Sequence, residues 1–502
     1  MLRHIWFEHR ESTEIREKVN NLPDTTSFHG VAVDGANHPA RAGDGDRLLS
    51  MVDLFAGCGG LSLGFENSGF TPVFVNELND DARATYLANR HHSLGGMRFA
   101  ENEALHCRDA QELGGGRLRK LEADLAALPE LRYSKERVRT WSAGGGSNID
   151  VLAGGPPCQG FSGIGIRRSY DVDKKELPSN QLYEQMAHII EELRPRIFLF
   201  ENVRGLLHAK WTKLGGEPIF PDVFRRFRSI PGYEVRWSLV HAKDYGVPQN
   251  RPRVLVVGIR KDIFETSSFL KPATFIGADI ERKGDAVEAG FLPTPRVNSF
   301  PHLKELLEDL VDPDVDALLR SGRYPPGKLE TLTYPSPKPL TGIQRRLRAK
   351  PSWMRGKKLV LTEQEYSRHN RRVVEKFIAM QANNGVIPEE FKTKKFAQKL
   401  LPASWGNGEP TITATSLPDD YVHFSQPRIL TVREWARLQL FPDWYQFCGK
   451  RTTGGLRRAG NPREGVFDRE VPKYTQIGNA VPVGLAEAVS SHFRRILEEA
   501  VG

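Results

Sequence analysis

The chain has 502 residues, 39% of them hydrophobic and 26% charged, with a formal net charge of +9. That length accommodates two or three domains around a large core. No apolar run approaches the roughly 18 residues of a membrane helix, so no membrane partner is expected, and the positive charge favours a polyanionic one. Met1 to Arg10 carries charges and no apolar centre, so no secretory signal is expected. The four cysteines, Cys58, Cys107, Cys158 and Cys448, form no C-x-x-C pair. This argues against a metal site or disulfide framework and for a reducing, cytoplasmic setting.

Residues 1–47 read as an N-terminal extension. From Leu48 to Phe55 an apolar strand runs into Ala56-Gly57-Cys58-Gly59-Gly60, and a second strand, Thr71 to Asn76, ends at Glu77. Asn79 is placed to cap a helix over Asp80 to Asn89. Strand, glycine turn, helix, strand and acid make a unit that binds a nucleoside-like cofactor, because glycines let the backbone approach and the helix start offers free N–H groups. Ser62 stands where a dinucleotide pattern has its third glycine, which leaves mononucleoside cofactors such as S-adenosylmethionine. Leu121 to Leu125 is expected to be a short third strand, with Asp124 at its end facing an adenine amino group.

The next strand, Ile149 to Ala153, stops at Gly154-Gly155-Pro156-Pro157-Cys158-Gln159. Two glycines and two prolines halt it and present a cysteine on a stiff backbone. Residues 160–180 follow as a basic, glycine-bearing loop, and Leu182 to Leu193 repeats at helical spacing. Arg196 to Phe200 is a buried strand that delivers Glu201-Asn202-Val203, and a carboxylate there must be hydrogen-bonded or kept neutral. A strand over Tyr233 to Val240 and a turn, Gln249-Asn250-Arg251-Pro252-Arg253, lead into Val254 to Ile259. Two neighbouring guanidiniums require anions, either phosphate or a carboxylate such as Glu201. Strand and helix rhythm is then lost until Thr431-Val432-Arg433-Glu434, a capping box. Gln476 to Pro482 reads as a turn before a last helix, Val483 to Glu498.

Taken in order, these segments resemble the DNA (cytosine-5) methyltransferases over about 48–260 and 427–495. Asp53 to Gly60 is similar to the family's cofactor loop, Gly155 to Gln159 to its nucleophile motif, and Glu201-Asn202-Val203 to its acid motif. Gln249-x-Arg251-x-Arg253, Arg433 to Pro442 and Gln476 to Pro482 are similar to its later motifs. The resemblance implies a doubly wound α/β fold with a mostly parallel seven-stranded sheet, the S-adenosylmethionine-dependent methyltransferase fold. It also implies a smaller, irregular target-recognition domain at 261–427, between a catalytic part at 48–260 and its return at 428–502.

It further implies roles. Cys158, Glu201, Arg251 and Arg253 are expected to be catalytic. Phe55, Gly57, Gly59, Gly60, Glu77, Asp124, Asn479 and Val481 are expected to hold S-adenosylmethionine, leaving S-adenosylhomocysteine as product. Pro157, Gln159, Asn202 and Gln249 are expected to face the substrate. Leu78 departs from the aromatic that the family often has after the ribose acid. The implied activity is methyl transfer to carbon 5 of a flipped-out cytosine in double-stranded DNA, through a covalent Cys158 adduct and a Glu201 kept protonated by burial. A monomer in the cytoplasm, associated with the nucleoid, is expected, with restriction or defence-system partners. The alternatives are a transfer-RNA cytosine methyltransferase of the same fold and a catalytically silent DNA-binding regulator; a sizeable segment between Arg260 and Arg428 favours duplex DNA.

Overall fold

Strands with apolar residues on both faces can only be satisfied between two helical layers, and such strands dominate the middle of this molecule. The computed structural model describes residues 48–131, 148–157, 181–212, 215–272, 283–296, 300–393, 398–404, 419–453 and 470–501. The expectations for the N-terminal extension, for Cys158 and Gln159, and for the basic loop at 160–180 lie outside them.

Seven strands form one sheet: β1 (Leu49–Leu54), β2 (Phe70–Asn76), β3 (His106–Cys107), β4 (Val151–Gly154), β5 (Ile197–Val203), β6 (Tyr233–His241) and β7 (Pro252–Arg260), in the order β6-β7-β5-β4-β1-β2-β3. Pairings among β3, β2, β1, β4 and β5 are parallel, and β7 runs antiparallel to both β5 and β6. Alternate residues feed opposite cores: Met51, Val151, Leu199 and Val257 face one, Val52, Leu152, Phe198 and Val256 the other. On the second face lie α3 (Gly115–Ala127), α4 (Leu182–Leu193) and α5 (Ile219–Arg228), through Leu118, Ile189 and Phe224 among others. On the first lie α1 (Gly60–Asn67) and the final helix α11 (Val483–Val501). At Gly64 these two backbones meet so closely that a Cβ would fall 2.4 Å from that of Ala486. The sheet is thus doubly wound and mostly parallel, as expected.

Leu121 to Leu125 is a correction. It belongs to α3, where Leu118, Leu121 and Leu125 are buried at three- and four-residue spacing. That spacing is the helical period, which outweighs the short alternation that suggested a strand.

The chain beyond β7, where the recognition segment is expected from residue 261, shares its core with the sheet. Ala286, Phe291, Leu303 and Leu306 share the first core with Leu255 and Val257 of β7, so no break in packing falls there. Further on come helices α6 (Leu303–Leu307), α7 (Gly342–Arg348) and α8 (Arg371–Ala382), with a further helix at Pro313–Ser321 and irregular chain between them. Two small clusters, one around Leu319 and Tyr366 and one around Phe377 and Val422, support that stretch.

Helix α9 (Val432–Leu438) joins it to the sheet, and all seven of its residues are buried. Thr431 and Glu434 close the expected capping box. Burying this helix places guanidiniums out of water, where each must find a carboxylate. Arg428 is held by both oxygens of Glu434, each at 2.7 Å. Arg437 reaches Asp309 at 2.5 Å and Asp443 at 2.6 Å, and its charge lowers the Asp443 pKa against the opposing effect of burial. Arg437→Met would leave two buried carboxylates short of a partner and should lower the unfolding free energy by about 3 kcal/mol, measured by urea denaturation.

Candidate active site

The order of the sheet reverses between β4 and β1, which opens a crevice beyond their carboxyl ends. The last rung there pairs Leu54 with Gly154 and Gly154 with Phe200. One residue further on, Phe55, Gly155 and Glu201 stand level on three neighbouring strands.

At the β1 side the loop is built by backbone constraint. Phe55 has φ of 55°, unusual for a bulky residue, and its N–H is held by the Asn76 side chain at 3.2 Å. The Asn76 amide also donates to the Arg108 carbonyl at 2.8 Å, so one side chain ties the tips of β1, β2 and β3 together. Glu77 accepts from the Gly57 N–H at 2.7 Å and the Asn79 N–H at 2.8 Å. Burial raises its pKa, and those two N–H groups oppose the rise. Asn79 caps α2 (Asp80–Ala88), as its position suggests.

These residues fit a nucleoside. Each Glu77 oxygen retains a further lone pair for a sugar hydroxyl. Gly57 has φ of 57° and nothing within 4 Å of where a Cβ would stand, so the loop is open on that side. Leu78 is 63% exposed, an apolar surface beside the acid. Asp124 lies on α3 rather than at a strand tip. The acid at the tip of β3 is Asp109, half-buried and two residues past Cys107, with Glu77 on the neighbouring strand. A two-residue strand is too short for a periodic signal, although an acid just past its end is similar to Glu77 just past β2.

At the β4 side, Gly155 is required by Glu201: a Cβ there would lie 2.6 Å from the Glu201 carboxylate. Glu201 is ion-paired with the Arg253 guanidinium, so a buried cation joins burial in setting its surroundings. The Asn202 side chain donates to the Pro156 carbonyl at 3.2 Å, fixing the turn that ends at Pro157. Asn202 therefore holds the backbone rather than pointing outward, and it is 4% exposed.

Three further residues of the expected site make bonds within the protein. Gln249 is fully buried and donates to the Leu438 carbonyl at 2.9 Å and to Gln439 at 2.7 Å, so it ties the turn before β7 to α9. Arg251, also buried, donates to the Gly478 carbonyl at 2.5 Å, and burial beside Arg253 depresses its pKa. Asn479 ends a helix, α10 (Lys473–Asn479), instead of starting one, and is exposed. Its neighbour Val481 presses its carbonyl to within 2.5 Å of where a Gly60 Cβ would lie, so Gly60 is required by the returning chain.

A family model described as C-5 cytosine-specific DNA methylase matches residues 49–116 and 142–495. The chain belongs to that family. The Type II methyltransferase M.DdeI of Desulfomicrobium norvegicum is 28% identical over 465 residues, covering 89% of this chain and 90% of the relative. The Type II methyltransferase M.XorII of Xanthomonas oryzae is 29% identical over 452 residues, covering 89% and 85%. A crystal structure of a putative DNA modification methyltransferase encoded within an E. coli prophage shares the fold, with a TM-score of 0.55 at 22% identity over 90% of this chain and 99% of that one. No helix among the described residues of this methylase is long and apolar enough to cross a membrane.

Two outcomes follow from this geometry. Gly155→Ala should displace the Glu201 carboxylate and lower methyl transfer by on the order of 100-fold, read from incorporation of labelled methyl groups, with the thermal midpoint little changed. Asp53, fully buried behind the loop, receives a hydrogen bond from Ser62, yet burial pushes its pKa up to about 7. A carboxyl with a folded pKa above its unfolded one contributes stability that is full below about pH 4 and falls as pH rises to 7, by up to about 1.4 kcal/mol per pH unit. Asp53→Asn should therefore gain stability relative to the parent between pH 5 and pH 7 in paired urea titrations.

Proposed function

We propose that this methylase transfers a methyl group from S-adenosylmethionine to carbon 5 of a cytosine flipped out of duplex DNA, with Cys158 as nucleophile. The observation that carries the reading is the row of Phe55, Gly155 and Glu201 across three strand tips. It sets the cofactor loop, the stiff turn into Cys158 and an ion-paired acid side by side.

Glu77 would accept from the ribose, Asp109 from the adenine amino group, and Phe55 would lie against the adenine. Gly57, Gly59 and Gly60 would bring backbone close to the ligand, with Asn479 and Val481 bordering it. When bound, S-adenosylmethionine supplies a methyl group on a sulfonium, which makes it strongly electrophilic.

Carbon 5 of cytosine is a weak nucleophile in the intact ring. The Cys158 thiolate adds to carbon 6, which moves electron density to carbon 5 and onto N3. Glu201, level with the cofactor loop, would share a proton with N3 and so offset that charge. Arg253, on the adjacent strand, holds both the Glu201 carboxyl and the carbonyl of the base. Pro156, Pro157 and the Asn202 side chain keep the turn before Cys158 fixed. Once carbon 5 carries the methyl group, loss of its proton to water expels the Cys158 thiolate. Arg251 supports this indirectly, by holding the chain at Gly478.

Flipping the base costs a few kcal/mol. Contacts from residues 160–178 and from the irregular stretch within 261–427 offset it, and the latter reads the target sequence. The relatives' names as Type II methyltransferases support a setting in restriction and modification. The enzyme would act on DNA in the cytoplasm as a monomer.

Cys158→Ser should abolish methylation while the parent forms a denaturant-stable complex with DNA bearing 5-fluorocytosine. Near-normal turnover by the variant would sink the covalent route. Bisulfite sequencing of DNA from expressing cells tests the base and identifies the site.

A further inference from the structure

The cofactor loop is held from behind by two side chains that no motif includes, Arg90 and Tyr445. Tyr445 donates its hydroxyl to the Cys58 carbonyl at 2.6 Å and accepts from Arg90 at 2.9 Å. Arg90 donates to the Gly59 carbonyl at 3.2 Å and to Glu66 of α1 at 3.0 Å, and it lies 3.6 Å from the centre of the Tyr86 ring. Both side chains are fully buried. Burial raises the Tyr445 pKa, so its hydroxyl remains a donor. The fit explains Gly59: a Cβ there would fall 2.6 Å from the Arg90 guanidinium and 2.8 Å from the Tyr445 oxygen.

A trans peptide points its C=O and the following N–H in opposite directions. The Gly59 carbonyl accepts both from the Leu63 N–H at 3.0 Å and from Arg90, and the two together keep the Gly60 N–H turned the other way, at the start of α1. Tyr445 fixes the preceding peptide plane by the same means.

Tyr445 reaches this place along a seam on α2. Asn89 exchanges two 2.9 Å hydrogen bonds with the Gln446 backbone, and the Thr85 hydroxyl accepts from the Cys448 N–H at 2.7 Å. Behind the seam, Arg433 of α9 donates to the Tyr445 carbonyl at 2.8 Å and to the Thr362 hydroxyl at 2.9 Å.

We propose that Arg90 and Tyr445 are positioning residues for the cofactor: they orient the Cys58–Gly60 peptides and so set affinity for S-adenosylmethionine without touching it. The inference rests on the reading that this loop holds that cofactor.

The test compares Tyr445→Phe with Asn89→Ala, which cuts the same seam without reaching the loop. Calorimetric titration with S-adenosylhomocysteine should show Kd raised about tenfold, equivalent to about 1.4 kcal/mol, for Tyr445→Phe. Its kcat at saturating cofactor and its KM for DNA should match the parent's. Asn89→Ala should lower the thermal midpoint and leave Kd unchanged. Unchanged Kd in Tyr445→Phe, or an equal rise in both variants, overturns the proposal. If the parent itself does not bind S-adenosylhomocysteine, the cofactor reading falls first and takes the positioning role with it.

Discussion

Buried arginine decides how the irregular stretch meets the chain that returns to the sheet. Helix α9 is short and wholly enclosed, and Arg428, Arg433 and Arg437 lie at or beside it without water. A guanidinium in that state is tolerable only where carboxylates and carbonyls surround it. Those partners come from several directions: Glu434 from the helix itself, Asp309 and Thr362 from the irregular stretch, and Asp443 and the Tyr445 carbonyl from the chain that follows. The charges therefore act as a register. Unlike an apolar surface, they allow few ways for the intervening segment to dock, and the position of that segment is set to the accuracy of a hydrogen bond.

The active-site end of the sheet depends on small residues in the same way, each for a different neighbour. Gly59 yields to Arg90 and Tyr445, Gly60 to the Val481 carbonyl, and Gly155 to the Glu201 carboxylate. Of Gly57, Gly59 and Gly60 in the loop, Gly57 alone faces open space. A glycine-rich loop is easily attributed as a whole to its ligand. Here most of the requirement comes from protein packing behind and beside the loop.

Much of this was legible in the sequence, and the limits have physical causes. Strands buried on both faces declare themselves as apolar runs, and Asn79 and the Thr431–Glu434 box mark helix starts through the bonds they make. The order of motifs locates the Glu201, Arg253 and Glu77 neighbourhoods. What sequence order does not encode is the direction a polar side chain faces. Gln249 and Arg251 sit in a motif beside Arg253, yet they turn inward to α9 and to Gly478. Asp109 escaped notice because β3 has two residues and no period, while Leu121 to Leu125 alternates briefly inside a helix. Arg90 and Tyr445 carry no local signal at all, since their role exists only after segments far apart come together.

That last separation bears on how the enzyme is made. Tyr445 and Cys58 are 387 positions apart, and the Cys58 thiol meets the Gln476 carbonyl across 418. Contacts so distant in sequence form late, because the entropy of closing the loop must be met before they return anything. On a ribosome, β1, its glycine turn and α1 emerge early and can pair with β2 and meet Arg90, but the Cys58 carbonyl and thiol lack their partners until the chain has been synthesised past Tyr445 and Gln476. Until then the chain has residues that bind a nucleoside but lacks part of the backing that aligns them, so the loop at one end of the sheet is finished by a segment hundreds of positions away.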